Sequence, residues 1–177
     1  MKAGSFLLGM VIGLLLVPAV LYVYVSLGRV PVSSFDPELP FETAIAGQAV
    51  RARISREMPR QIPIPATATN LLAGAHVYRA DCAMCHGVPG KNPPVITTGM
   101  YPPPPQLFHG KGVTDDPVGE TFWKVANGLR LTGMPGFRES LSQDQMWQVS
   151  LLLSQADKLP ADTVKVLTGN DSPKPVP

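Results

Sequence analysis

From Phe6 to Leu27 the chain carries no charged residue. As a helix rising about 1.5 Å per residue, such a run crosses a hydrocarbon layer of about 30 Å. It closes in Tyr22-Val23-Tyr24-Val25, aromatics suited to a membrane interface, and no Ala-x-Ala cleavage pattern follows. The apolar region of a secretory signal is shorter, about 7 to 15 residues. Residues 1–28 therefore read as a retained transmembrane anchor. Lys2 precedes the span and Arg29 follows it, so the basic-side rule alone barely decides orientation.

Beyond the span the pattern changes. Pro31, Pro37, Pro40, Pro59, Pro63 and Pro65 punctuate residues 29–65 and forbid a long helix or a central strand, which makes this stretch a spacer. One proline-free interval, Glu42 to Met58, rich in alanine and arginine, predicts a short helix lying on the domain or on the membrane surface. Its Arg51, Arg53 and Arg56, with Arg60 beyond it, read as a solvated face rather than a lipid-binding patch, because Glu57 interrupts them. From residue 66 helical spacing takes over. Thr69 or Asn70 can cap a helix through Leu71, Leu72, Ala75, Val77 and Tyr78. A second helix is expected from Val118 to Gly128. A third follows the capping box of Ser142-Gln143-Asp144-Gln145, with apolar residues at Met146, Trp147, Val149 and Leu153, until Pro160 stops it. No segment alternates as a strand would. The expectation is an all-α domain over residues 66–160, followed by a polar, proline-rich and disordered tail over 161–177.

Composition alters this picture little. Fifteen Lys plus Arg against thirteen Asp plus Glu give a net charge of +2, and no basic run indicates nucleic acid. The two cysteines change it decisively. They stand in Cys82-Ala83-Met84-Cys85-His86, the spacing that attaches a c-type haem by two thioethers and brings the following histidine to the iron. With no further cysteines there is no second pair to complete a tetrahedral zinc site. Nor does an alternating strand and helix pattern surround the motif, as a redox dithiol of the thioredoxin kind would require. Cys82 and Cys85 are thus candidates for covalent attachment of one haem c, and His86 for its proximal ligand.

With a helix before the motif and a capped helix at the end, residues 66–159 resemble a class I monohaem cytochrome c. The resemblance implies that the first and last domain helices cross near Gly74, Tyr78 and Trp147. It also nominates Met134, in Gly133-Met134-Pro135-Gly136-Phe137, as the distal ligand. A thioether is a soft neutral ligand that favours the reduced iron, in keeping with that role. Met100, in Thr97-Thr98-Gly99-Met100-Tyr101 ahead of four prolines, is its rival. Met84 and Met146 read as motif and core residues, and His76 and His109 as histidines without an iron role. Family members orient the proximal histidine with a proline carbonyl just beyond the motif, for which Pro89 is the candidate here. Trp123 and Arg130 are candidates for haem surroundings, since an indole N–H or a guanidinium matches a carboxylate.

The function so implied is electron transfer by a membrane-anchored cytochrome. It would serve redox proteins of the membrane or periplasm, transiently or inside a complex, with its N-terminus cytoplasmic and its haem domain on the periplasmic side of the inner membrane. The competing class is a five-coordinate haem enzyme or gas sensor, which requires that no methionine bind the iron.

Overall fold

A computed structural model describes residues 3–108 and 114–169 of the chain, and every regular element among them is helical. Contacts divide it into two compact units, one ending at Glu42 and the other beginning at Thr43. The first holds α1, Ala3–Ser26, a helix apolar on all sides and long enough to cross a membrane. Pro18 lies inside it. The chain then turns at Gly28, whose φ of 65° suits a residue without a Cβ.

Helix α2 spans Glu42–Glu57 and belongs to the second unit from Thr43 on. Of the two surfaces expected for this helix, the domain is the one that the end of α2 and the residues after it meet. Ile54 is 2% exposed, the Trp123 indole donates to Glu57 Oε2 at 3.3 Å, and the Pro59 carbonyl packs directly on Gly119, where any Cβ would collide with it. One indole–carboxylate hydrogen bond and one close backbone contact tie residues 57–59 to the helix that follows later in the chain, beside the buried Ile54.

Helix α3, Ala68–Asp81, begins two residues earlier than the nearer of the two expected caps: the Thr67 hydroxyl accepts from Asn70 N. Helix α4 is a single turn, Ala83–His86. A 3-10 turn over Val95–Gly99 precedes α5, Val118–Asn127, which ends at Gly128 with φ 65°. Helix α6, Gln143–Ser154, opens with both hydrogen bonds of the Ser142–Gln145 capping box.

The last helix, α7, covers Ala161–Thr168, where a disordered tail was expected. The polar composition concealed one apolar stripe. Leu167 is fully buried, and its carbonyl accepts from Arg79 Nη1 of α3 at 3.2 Å. The remainder of that tail, residues 170–177, lies outside the described residues.

The core forms where α3 crosses α6. Gly74 makes the crossing possible, because a Cβ there would lie 2.7 Å from the Gln148 carbonyl carbon and 3.1 Å from Val149 N. Ala75 and Tyr78 of α3 pack with Val149, Leu152 and Leu153 of α6, all 3% exposed or less. On the far side of α6, Trp147 stacks on Phe122 of α5, with centroids 4.1 Å apart and planes at 19°. Gly74 and Tyr78 therefore stand in the α3–α6 packing, whereas Trp147 joins α6 to α5.

Candidate functional site

Cys82 follows α3 without a break, and the backbone winds once more: Cys85 N and His86 N both donate to Cys82 O, at 3.1 and 2.9 Å. Residues three apart on a helical turn share a face, so both cysteines enter the wall of one cavity, together with His86. They form no disulfide. Burial, aided by Asp81 and Cys85, pushes the Cys82 thiol up to about 12, so its sulfur is neutral, as suits an apolar wall. Met84 points elsewhere and is 69% exposed.

After His86 the chain reverses at Gly87, φ 71°, whose carbonyl accepts the buried Tyr78 hydroxyl at 2.8 Å. Burial raises the phenol of Tyr78 well above its usual range, which leaves it a neutral donor. Gly87 is required twice over. Its φ is left-handed, and a Cβ would come 2.5 Å from Gln106 Oε1.

His86 Nδ1 lies 2.8 Å from the carbonyl oxygen of Pro105. A carbonyl only accepts, so Nδ1 carries the proton and Nε2 keeps its lone pair for a ligand. This corrects the expectation of Pro89, which makes no such bond and is no part of the cavity wall. The partner is far along the chain because residues 102–105 fold back as one side of the cavity, where prolines offer apolar surface and no N–H.

A further part of the wall comes from α5 and the loop after it. That loop is tied to the helix: Phe137 N and Arg138 N donate to Val125 O and Ala126 O, and Leu129 N donates to Met134 O at 3.2 Å. At Gly128 a Cβ would come within 2.7 Å of Gly136 N, Pro135 C and Met134 O. Thr132 Oγ1 donates to Leu129 O and accepts from Met134 N. These bonds set Met134 in the wall, and Met100 stands in it as well, its methyl packed on Gly133. Met146 is buried in the core and His76 half-buried on α3. Neither belongs to the wall, and His109 lies outside the described residues.

Two further expectations are corrected. Trp123 faces away from the cavity, its indole bonded to Glu57, because the Val125 side of α5 is the one turned inward. Arg130 is exposed and is not a wall residue. The cation that does line the cavity is Lys124, bonded to Glu120 at 2.8 Å and Asp116 at 3.2 Å. Burial pulls its ammonium down, but the Glu120 hydrogen bond and the two carboxylates outweigh it and leave it raised. A mid-helix lysine with acidic neighbours reads as surface, so the sequence carried no signal for this placement.

The cavity measures about 220 Å³. Its mostly apolar walls, two thiols on one turn, a histidine with a fixed tautomer and two thioethers form a donor set that fits haem c.

Comparison with known proteins agrees with this donor set. Residues 69–151 match the family described as cytochrome C oxidase, cbb3-type, subunit III. Cytochrome c6 of Limnospira maxima is 33% identical over 90 residues, which cover 50% of this chain and 97% of that relative. The chain belongs to the c-type cytochromes. No solved structure matches it. Membership brings the family's covalently bound haem c and its class of work, electron carriage, alone or as a subunit of a complex. The matched stretch holds the motif, the crossing helices and the Met134 loop, and leaves α1 and α2 to this chain's own account.

Proposed function

We propose that this cytochrome carries single electrons through one haem attached at Cys82 and Cys85, with His86 and Met134 as the two protein ligands of the iron. One observation carries the reading: these four side chains stand in the walls of a single cavity. When bound, haem c exchanges one electron while both ligands stay in place, with no open position for oxygen or peroxide.

The chain's own residues do the rest. Pro105 holds His86 in one tautomer and orientation. The bonds of the loop from Gly128 to Arg138 hold Met134 ready, so little rearrangement accompanies ligation. The proline run and the α5 face exclude water, which raises the potential along with the thioether. Leu131, 91% exposed, and Met84, 69%, are apolar surface beside wall residues, suited to brief contacts with a redox partner. Met100 supports a second reading as the distal ligand, since it shares the cavity with Met134.

Helix α1 serves as a single-pass anchor in this proposal, with the haem-bearing unit on the periplasmic side of the inner membrane. Because residues 54–60 dock on the domain, the tether is shorter than the whole stretch 29–65, which favours a fixed place in a complex over a wide swing. The matching family's description names an oxidase subunit, and membership of such a membrane redox complex is the partnership we put forward.

The test is spectroscopic. Full-length protein made with haem-attachment machinery retains a peroxidase-active band after denaturation, and its ferric form shows a weak red-edge absorption from sulfur ligation. Met134→Ala abolishes that absorption and Met100→Leu leaves it. The reverse assigns the iron to Met100. Carbon monoxide binding by the untouched ferrous protein sinks electron transfer in favour of catalysis or sensing. Isolation in mild detergent with stoichiometric partners supports the complex, whereas a lone chain supports a shuttle.

A further inference from the structure

Thr121 lies inside α5 and is 3% exposed, yet its Oγ1 has no hydrogen-bond partner among the described residues. A threonine within a helix ordinarily bonds back to a carbonyl on the preceding turn. Here the Pro117 carbonyl is taken by Glu120 N at 2.8 Å and Thr121 N at 3.4 Å, and the hydroxyl is not on it. It stands in the wall of the haem cavity instead. A buried, unpartnered hydroxyl in a ligand cavity marks a place where the ligand supplies an acceptor.

Helical spacing puts Thr121, Lys124 and Val125 on one face, and all three line the cavity. Among the described residues Lys124 is the single basic side chain in the wall apart from His86. Glu120 and Asp116 hold its ammonium without being wall residues themselves, and an ammonium has a third N–H to give. Asp81 of α3 is the one carboxylate in the wall among the described residues. Hydroxyl and ammonium one turn apart on a helix suit a carboxylate, and the strong acceptors on haem c are its two propionates.

We infer that Thr121 donates a hydrogen bond to a haem propionate, beside the charge of Lys124. This rests on the haem reading above and adds a positioning role that neither the motif nor the Met134 loop supplies. The hydroxyl orients the ring in the cavity and offsets part of the propionate's negative charge, which otherwise favours the ferric state.

The experiment uses the full-length, haem-loaded chain in detergent and compares wild type, Thr121→Val and Thr121→Ser. Thr121→Val keeps the shape and removes the hydroxyl. It shifts the propionate bending band in the resonance Raman spectrum and lowers the midpoint potential, while the red-edge sulfur absorption stays put. Thr121→Ser, which keeps the donor, restores both. An unchanged propionate band in Thr121→Val overturns the inference. So does a shift in the sulfur absorption alone, which makes Met134 the acceptor. If Thr121→Val does not load haem, Thr121→Ala enters the same comparison. The two levels fail separately: a wild type without covalent haem defeats the function, whereas a loaded wild type with an unmoved Thr121→Val band defeats only this inference.

Discussion

Replacing Gly74 by alanine tests the central packing. Its Cβ would lie 2.7 Å from the Gln148 carbonyl carbon, whereas ordinary contact begins near 3.4 Å. The two helices must separate by at least about 0.7 Å, and further for the Gln148 carbonyl oxygen, which is nearer still, because the obstructing atoms are backbone and cannot rotate aside. Overpacking costs about 1–3 kcal/mol, and here the upper end applies, since Tyr78, Val149 and Leu152 flank the contact fully buried. Against this, alanine gains about 1 kcal/mol over glycine in a helix interior. The net loss is about 2 kcal/mol, which for a unit of this size lowers the midpoint by about 8 °C. The assay is thermal melting of the haem-loaded chain followed by circular dichroism. Gly99→Ala, where nothing lies within 4 Å, is the control and melts with the wild type. A Gly74→Ala protein as stable as wild type would refute the close crossing.

Gly128→Ala drives a Cβ into the backbone of Met134, Pro135 and Gly136 at a φ of 65°. It should weaken or abolish the red-edge sulfur absorption and cost about 2 kcal/mol or more in denaturant melts. Ser142→Ala removes the reciprocal cap of α6 and should cost about 1 kcal/mol, with no change in the haem spectrum. The Arg53 hydrogen bond, opposed by burial and aided by the Trp123 indole and Arg56, holds the Glu57 carboxyl below its usual 4.5. A depressed carboxylate stabilises the fold above its unfolded pKa and ceases to do so as pH falls through the folded one. Urea melts should therefore separate wild type from Glu57→Gln at pH 7, and the gap should close as pH drops below the ordinary carboxylate value.

Much of this molecule is written in short stretches of chain. The haem motif, the Ser142–Gln145 cap, the stop at Gly128 and the uncharged span of α1 each depend on residues within a turn or two of one another. Covalent spacing and helical periodicity decide them before any tertiary contact forms. The all-helical character follows from the same periodicity. Met134 was legible at the level of a loop that resembles a family's, and its arrival in the same cavity as His86 needed the fold.

What lay beyond reach depends on which surfaces meet. Pro89 is nearer to His86 in sequence, yet the carbonyl that meets Nδ1 is Pro105, since the proline run closes over the motif as a wall. Trp123 looked suited to a haem carboxylate, but the inward side of α5 belongs to Thr121, Lys124 and Val125, and the indole met Glu57 instead. α7 looked like tail because its polar composition outweighs the one large apolar side chain, Leu167, that buries, and residues 54–60 looked like spacer because prolines punctuate the stretch they belong to, although Ile54 buries. Local sequence determined which groups can bind haem c, through the fixed geometry of bonds and turns. Tertiary structure decided which of their neighbours orient and shield it, because a hydrogen bond between residues far apart in the chain exists only once the helices have packed.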